Sequence, residues 1–160
     1  MNKNQDTKEK TCVFFASDYH FEMISLPYIN KSIENNVDVI ILTENDLEKT
    51  VKVLLSKIIL KDEIKNKLLE IDWKNNNDFN KLKIIKTNIE EEKETVIFVK
   101  GKENYLKNIN KNLEKWINKN NKIKVIDCYD IEEIQDRTID IMNNYNIILN
   151  TVGKKEIFKF

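Results

Sequence analysis

Short apolar runs alternate with longer amphipathic stretches along the chain. The runs are rich in Val, Ile and Phe, and such unbroken runs are typical of strands that are buried on both faces of a parallel sheet. They predict five strands, at residues 11–16, 37–42, 95–100, 122–127 and 146–150. The apolar residues 71–73 are a candidate for a further short strand. After a turn at Gly153, residues 156–160 are expected to pair back as an antiparallel edge.

The stretches between the strands carry apolar residues at helical spacing. They predict helices at about residues 21–35, 47–58, 64–69, 103–120 and 130–145. Pro27 should either kink the first helix or mark its true first turn. Thr43, followed by Asp46 three residues later, is expected to cap the second helix. Residues 79–94 fit a helix only loosely, because a run of glutamates follows the apolar positions.

Alternating strands and helices require crossover connections, which are nearly always right-handed and give a parallel sheet covered on both faces. We therefore predict a three-layer α/β fold with a mostly parallel sheet, helices on both faces and an antiparallel C-terminal edge strand. Residues 11–160 are expected to form a single domain. Residues 1–10 are polar and charged, so they are expected to form a flexible N-terminal arm.

Composition narrows the classes of function. The chain has 160 residues, 34% of them charged, and a formal net charge of zero, so no global field attracts nucleic acid. Its two cysteines, Cys12 and Cys128, lie in apolar runs and read as buried hydrophobic residues. A single histidine makes a metal site improbable. No apolar run approaches the ~20 residues of a membrane span, and no signal peptide is visible, so we expect a cytoplasmic protein without membrane contact.

Ligands of open α/β sheets bind outside the carboxyl ends of the strands. Polar residues follow several of the predicted strands, and they form the expected binding site for a small polar molecule: Ser17, Asp18, Tyr19, His20, Thr43, Glu44, Lys100, Asp127 and Tyr129. The chain contains only two glycines and neither common glycine-rich phosphate motif. Backbone amides therefore lack the usual means of wrapping a phosphate, and we expect no nucleotide cofactor.

Two other readings stay open. Histidine is the side chain whose unperturbed charge change lies near pH 7, so His20 could act as a general base beside Asp18 or Glu22, with Lys100 or Asp127 assisting, in an enzyme of unrecognised type. It could equally pack locally at the start of a helix. Lysines recur every fourth residue on one predicted helix and could dock a protein partner, or they could form a solvated face: Lys107, Lys111, Lys115 and Lys119.

Arg137 is the single arginine of the chain, and ion pairs along its own helix can account for it. Arg137 lies four residues after Glu133 and three before Asp140 on one predicted helix, so surface ion pairs are its expected role. Arginine could otherwise hold a carboxylate or a phosphate through its planar fork.

The N-terminal half carries a pattern of strand, polar loop, helix with a Pro-aromatic-Ile step, and second strand. The segments are CVFFA at 12–16, Tyr19-His20, LPYI at 26–29, SIENN at 32–36 and VIILTE at 39–44. This pattern resembles the MEDS sensory domain, which is found beside DNA-binding or kinase modules in bacteria and archaea. The segments VIFVKG at 96–101 and IKVID at 123–127 would be further strands of that fold.

The resemblance implies a RecA-like α/β fold that has lost its phosphate loop and senses small organic molecules. It implies a non-catalytic, regulatory role. The chain departs from the family in having no room for an output module, so a protein partner for signal output is expected. The family's ligand residues are not carried over to this sequence.

Overall fold

The computed structural model describes residues 9–117 and 122–157. Its sheet has six strands in the order β2-β3-β4-β1-β5-β6, and every neighbouring pair is parallel except β5 with β6. The strands are β1 (Thr11–Phe15), β2 (Asp38–Thr43), β3 (Thr95–Gly101), β4 (Ile123–Asp130), β5 (Ile147–Asn150) and β6 (Gly153–Glu156). The predicted α/β class, with a mostly parallel sheet and an antiparallel edge, is confirmed.

Helices cover both faces of the sheet. They are α1 (Asp18–Glu34), α2 (Glu48–Lys57), α3 (Asp62–Leu69), α4 (Asp78–Glu90), α5 (Glu103–Ile117), α6 (Ile131–Ile134) and α7 (Thr138–Met142), with a 3-10 turn at Gln135–Arg137. One apolar cluster joins the sheet to α1, α2 and α3, and the second joins it to α4, α5, α6 and α7. We call these two sides the α1 face and the α5 face. The central strand β3 is buried along its whole length, as its unbroken apolar sequence predicts.

Two strand predictions at the margins are wrong. Residues 71–73 form a loop, because Trp73 enters the core of the α1 face and its indole N–H donates to the carbonyl of Leu68 at 2.9 Å. The antiparallel edge is Gly153–Glu156 rather than residues 156–160. Gly153 has a φ of +106°, which allows a two-residue turn, and pairing resumes at once opposite Asn150. Residues 158–160 lie outside the described residues.

The helix boundaries also differ from the prediction. Thr43 does not cap a helix: it is the last residue of β2, fully buried, and its hydroxyl donates to the main-chain carbonyl of Asn45. Asp46 instead accepts from the backbone N–H of Glu48, where α2 begins. The stretch that fits a helix only loosely is a regular helix, α4. Pro27 lies in the middle of α1, which continues through it, so it does not mark the first turn.

The single helix predicted for 130–145 is broken into α6, the 3-10 turn and α7. Gln135 has a φ of +44°, a left-handed conformation that interrupts helical hydrogen bonding. The end of the helix predicted at 103–120 and most of the expected N-terminal arm lie outside the described residues. Glu9 and Lys10, at the end of that arm, bond to Lys154 and Asn146. No helix of the described residues is long and apolar enough to cross a membrane.

Candidate functional site

Lys100 brings a buried ammonium group to the carboxyl edge of the sheet. It follows Val96 and Phe98 on the α1 face of β3 and is 2% exposed. Its Nζ lies 4.6 Å from the ring centroid of Phe15 and 5.6 Å from that of Phe21, close enough for cation–π attraction. A buried charge is costly unless it is paired, so this position requires partners.

Asp18 and Asn45 supply those partners. The ammonium donates to Oδ1 of Asp18 at 2.9 Å and to Oδ1 of Asn45 at 2.8 Å, and Nδ2 of Asn45 donates to Oδ2 of Asp18 at 2.9 Å. Asp18 is the first residue of α1, and Asn45 follows β2. The three groups form a closed triangle, which we call the carboxyl-edge cluster. It joins the ends of β1, β2 and β3.

Glu22 lies one helical turn after Asp18, on the side of α1 that packs against the core. It is fully buried and accepts a hydrogen bond from the Thr50 hydroxyl, while its Oε1 has no hydrogen-bond partner. Burial, with a smaller contribution from the charge of Asp18, raises the pKa of Glu22 to about 7, against the lowering effects of Thr50 and Lys100. A carboxyl group that titrates near neutral pH therefore lies beside the cluster.

Ser17, Tyr19 and His20 lie beside Asp18, at the cap and in the first turn of α1. The Ser17 hydroxyl caps α1 by accepting from the backbone N–H of His20 at 3.1 Å. Nδ1 of His20 accepts from the backbone N–H of Ala16 at 2.8 Å, so its ring is oriented by the main chain and not by Asp18. Tyr19 is 43% exposed at the rim. The proposed pairing of His20 with Asp18 is absent from this geometry.

Glu44 is held close to Gly101, the residue after Lys100. Its Oε1 accepts from the backbone N–H of Lys102 at 2.7 Å, and its own N–H donates to the carbonyl of Lys100. A Cβ on Gly101 would lie 2.8 Å from Oε1 of Glu44 and 2.8 Å from Cδ2 of Tyr105. Glycine is therefore needed here for close approach of side chains, not for its backbone conformation.

Asp127 and Tyr129 do not belong to the carboxyl-edge cluster. Both lie on the α5 face, where Asp127 accepts from Asn110 at 2.9 Å and from the Tyr145 hydroxyl at 2.6 Å. The hydroxyls of Tyr129 and Tyr145 are 2.7 Å apart. Burial raises the pKa of Asp127, and burial raises the pKa of Tyr129 to about 12. The predicted rim is thus two separate polar groups, one on each face.

Sequence reasoning missed several members of these groups as site residues. Asn45 and Asn110 are asparagines in an asparagine-rich chain, so nothing singled them out. Tyr145 lies at the end of the helix predicted for 130–145, at helical spacing from Ile141, and this spacing indicates only a core position. Glu22 is predicted only as a possible partner of His20, but its burial could have been predicted because it lies among the apolar positions Phe21 and Ile24 of α1.

The remaining candidates have structural contacts. Burial raises the pKa of both Cys12 and Cys128, which disfavours thiolate chemistry. Arg137 pairs with Glu103 and, at 4.0 Å, with Glu133; Asp140 is not among its partners in the described chain. Lys107, Lys111 and Lys115 are exposed, and Lys119 lies outside the described residues. Within residues 9–117 and 122–157, no group of three or more His, Cys, Asp or Glu side chains could hold a metal ion.

Comparison with protein-family models, with curated proteins and with solved structures found no match to this chain.

Proposed function

We propose that this chain is a non-catalytic sensory or regulatory domain that binds a small polar molecule at the carboxyl edge of its sheet. The observation that carries the proposal is the carboxyl-edge cluster, in which a buried lysine is held by two partners, one at the start of α1 and one in the loop after β2. Holding such a group in place is costly, and buried polar networks of this kind concentrate at functional sites. The loops it joins are the ones at which open α/β sheets bind ligands.

The charge balance of the cluster favours an uncharged or zwitterionic ligand. The ammonium of Lys100 is neutralised by Asp18, and Glu44 is engaged by a backbone N–H. Each Asp18 oxygen accepts one hydrogen bond within the cluster, and each can accept a further hydrogen bond from a ligand. The exposed ring of Tyr19 offers a stacking surface and a hydroxyl. A ligand with several hydroxyl or amide groups fits this combination.

The resemblance to the MEDS sensory domain supports the same class of function. Its segments contain most of β1, part of the first turn of α1, most of β2 and the part of β3 that carries Lys100, and they flank Asp18 and Asn45 without including them. A sensor needs a partner to receive its signal, and we propose that a separate protein takes this role here.

The two rival functions have less support. Nδ1 of His20 accepts from the Ala16 N–H, so the neutral ring carries its proton on Nε2, and neither nitrogen is free to accept a proton as a general base. The lysines of α5 are exposed, as a solvated helix face would be, and exposure alone does not identify a partner.

A thermal-shift screen tests the proposal. Wild-type protein is heated with neutral polyols, amides, amino acids, sugar phosphates and organic acids in turn. A ligand at a hundred times its dissociation constant adds about 2.7 kcal/mol, which is a shift of roughly 5–10 °C for a domain of this size. We expect such a shift from uncharged or zwitterionic molecules.

Two substitutions locate the binding. Asn45→Ala should abolish the shift because it opens the cluster, and Asn112→Ala, an exposed asparagine on the outer side of α5, should leave it intact. Lys100→Met removes the buried ammonium group of the same cluster and should also abolish the shift. A shift that survives both Asn45→Ala and Lys100→Met refutes this site, and ligand that is converted to product during the assay refutes the non-catalytic role.

A further inference from the structure

A groove runs along the α5 face, apart from the carboxyl-edge cluster. Its walls are α5 and the segment from Ile141 to Tyr145, and its floor is formed by β4 and the start of β1. The cavity has a volume of about 540 Å³, enough for a small organic molecule. Asp127 lies on the floor, with Tyr145 and Asn110 beside it.

Asp127 has no cationic partner among the described residues. Its two hydrogen-bond donors, Asn110 and Tyr145, are both neutral, and none of the ion pairs in residues 9–117 and 122–157 includes it. The nearby lysines of the groove, such as Lys107 and Lys111, are exposed. The Asp127 carboxyl group therefore lines the cavity with no cation beside it in the described part of the chain.

Asp38 is a similar aspartate elsewhere in the fold, and it has both an asparagine donor and a cationic partner. It lies on β2 and accepts from the side chain of Asn88 in α4 at 3.0 Å, just as Asp127 accepts from Asn110 in α5. Asp38 also has a cation, Lys93, at 3.1 Å. The groove at Asp127 is the matching arrangement without the cation.

We propose that this groove binds a small primary amine, whose ammonium group supplies the missing cation at Asp127. One oxygen of Asp127 is bonded by Asn110 and the other by Tyr145, and each retains capacity for a further donor. A charge-assisted hydrogen bond to the ligand would be stronger than either existing neutral one. This site lies on the opposite face from the carboxyl-edge cluster and does not depend on its function.

The lining of the groove defines the rest of the ligand. Apolar side chains from both walls and the floor reach the cavity, namely Leu106, Leu113, Ile123, Val125 and Ile141. The amine should therefore carry a short apolar body. The rim carries charges of both signs, with glutamates such as Glu103 and Glu114 beside lysines such as Lys107 and Lys111, so it does not select for a second charge on the ligand. The class that fits is an amine with an alkyl or aromatic body.

Benzylamine and benzyl alcohol are matched probes, because they differ in the ammonium group and share the apolar body. Binding to the wild-type chain is followed by titration in NMR, with backbone amides of the groove and of the carboxyl edge as separate reporters. We expect benzylamine to shift the amides of Asn110 and Tyr129, and benzyl alcohol to bind at least about 30-fold more weakly, as for an unpaired buried charge.

Asp127→Asn should weaken benzylamine binding by a similar factor, while Asp38→Asn, the matched aspartate with its own lysine, should leave it unchanged. The wild-type titration stands alone if Asp127→Asn fails to fold. Equal affinity for benzylamine and benzyl alcohol, or amide shifts confined to the carboxyl edge, overturns the proposal.

Discussion

Glu22→Gln changes one atom in the core of α1 and should alter how folding stability depends on pH. Glu22 is fully buried, with one carboxyl oxygen bonded to Thr50 and the other without a partner. Burial raises its pKa from 4.5 to about 7. The folded protein therefore keeps a proton on Glu22 in a pH range where the unfolded chain releases it.

Proton linkage gives the direction and the size of this change in folding stability with pH. Below about pH 4.5 the group is protonated in both states and costs nothing. As pH rises from there through about 7, the free energy of unfolding falls, because Glu22 ionises in the unfolded chain at a lower pH than in the folded protein. At 1.36 kcal/mol for each unit of pKa, the full loss of stability is about 3 kcal/mol. Glutamine keeps the shape but cannot ionise, so the variant escapes this loss.

The assay is urea unfolding of wild type and Glu22→Gln at about pH 5 and about pH 8. Part of the loss has already occurred at pH 5, so the variant's advantage over wild type should grow by about 2.5 kcal/mol between the two, or by roughly 5–10 °C in melting temperature. Glu34→Gln, an exposed glutamate at the end of the same helix, is the control and should show no such growth. An advantage that stays constant within about 0.5 kcal/mol refutes the assigned role of Glu22.

Two further substitutions test close packing in the same half of the molecule. Gly101→Ala places a methyl group against Glu44 and should destabilise the protein by about 1–3 kcal/mol, as measured by urea unfolding; wild-type stability would show that Glu44 moves aside freely. Trp73→Phe removes the donor to a buried carbonyl of α3 and leaves a cavity, so a melting temperature lower by several degrees is expected. An unchanged melting temperature would contradict the importance of that bond.

Local pattern was sufficient for most of the fold. The strands β1 to β5 were predicted because each contains a short run rich in Val, Ile or Phe, and that property depends on neighbouring residues alone. The predicted end of β4 at residue 127 is wrong, because the strand continues through Cys128 and Tyr129 to Asp130. Residues 71–73 have a similar composition but lie in a loop, since Trp73 needs both burial and a partner for its N–H. That requirement depends on the carbonyl of Leu68, which periodicity does not reveal.

The candidate site was predicted only in part, for a related reason. Asp18 and Lys100 were identified as rim residues, and the structure brings them to 2.9 Å, because both follow strands that end at the same edge. Asp127 was placed with them by the same rule, yet it lies on the opposite face. Which face a residue takes at a strand end depends on the register of the strand, and a shift of one position reverses it.

The strand order also governs when this sheet can form as the chain is made. β1 pairs with β4 and β5 and with no other strand, so Thr11 meets its first partner, Ile126, roughly 115 residues later. At synthesis rates of about 5–20 residues per second, β1 waits on the order of 6–20 s with its apolar side chains unpaired. Meanwhile β2 and β3 can already pair with each other. Although β1 precedes the other strands of this sheet in sequence, it is therefore among the last to be incorporated, and α1 is the neighbouring element that can cover its apolar side chains until then.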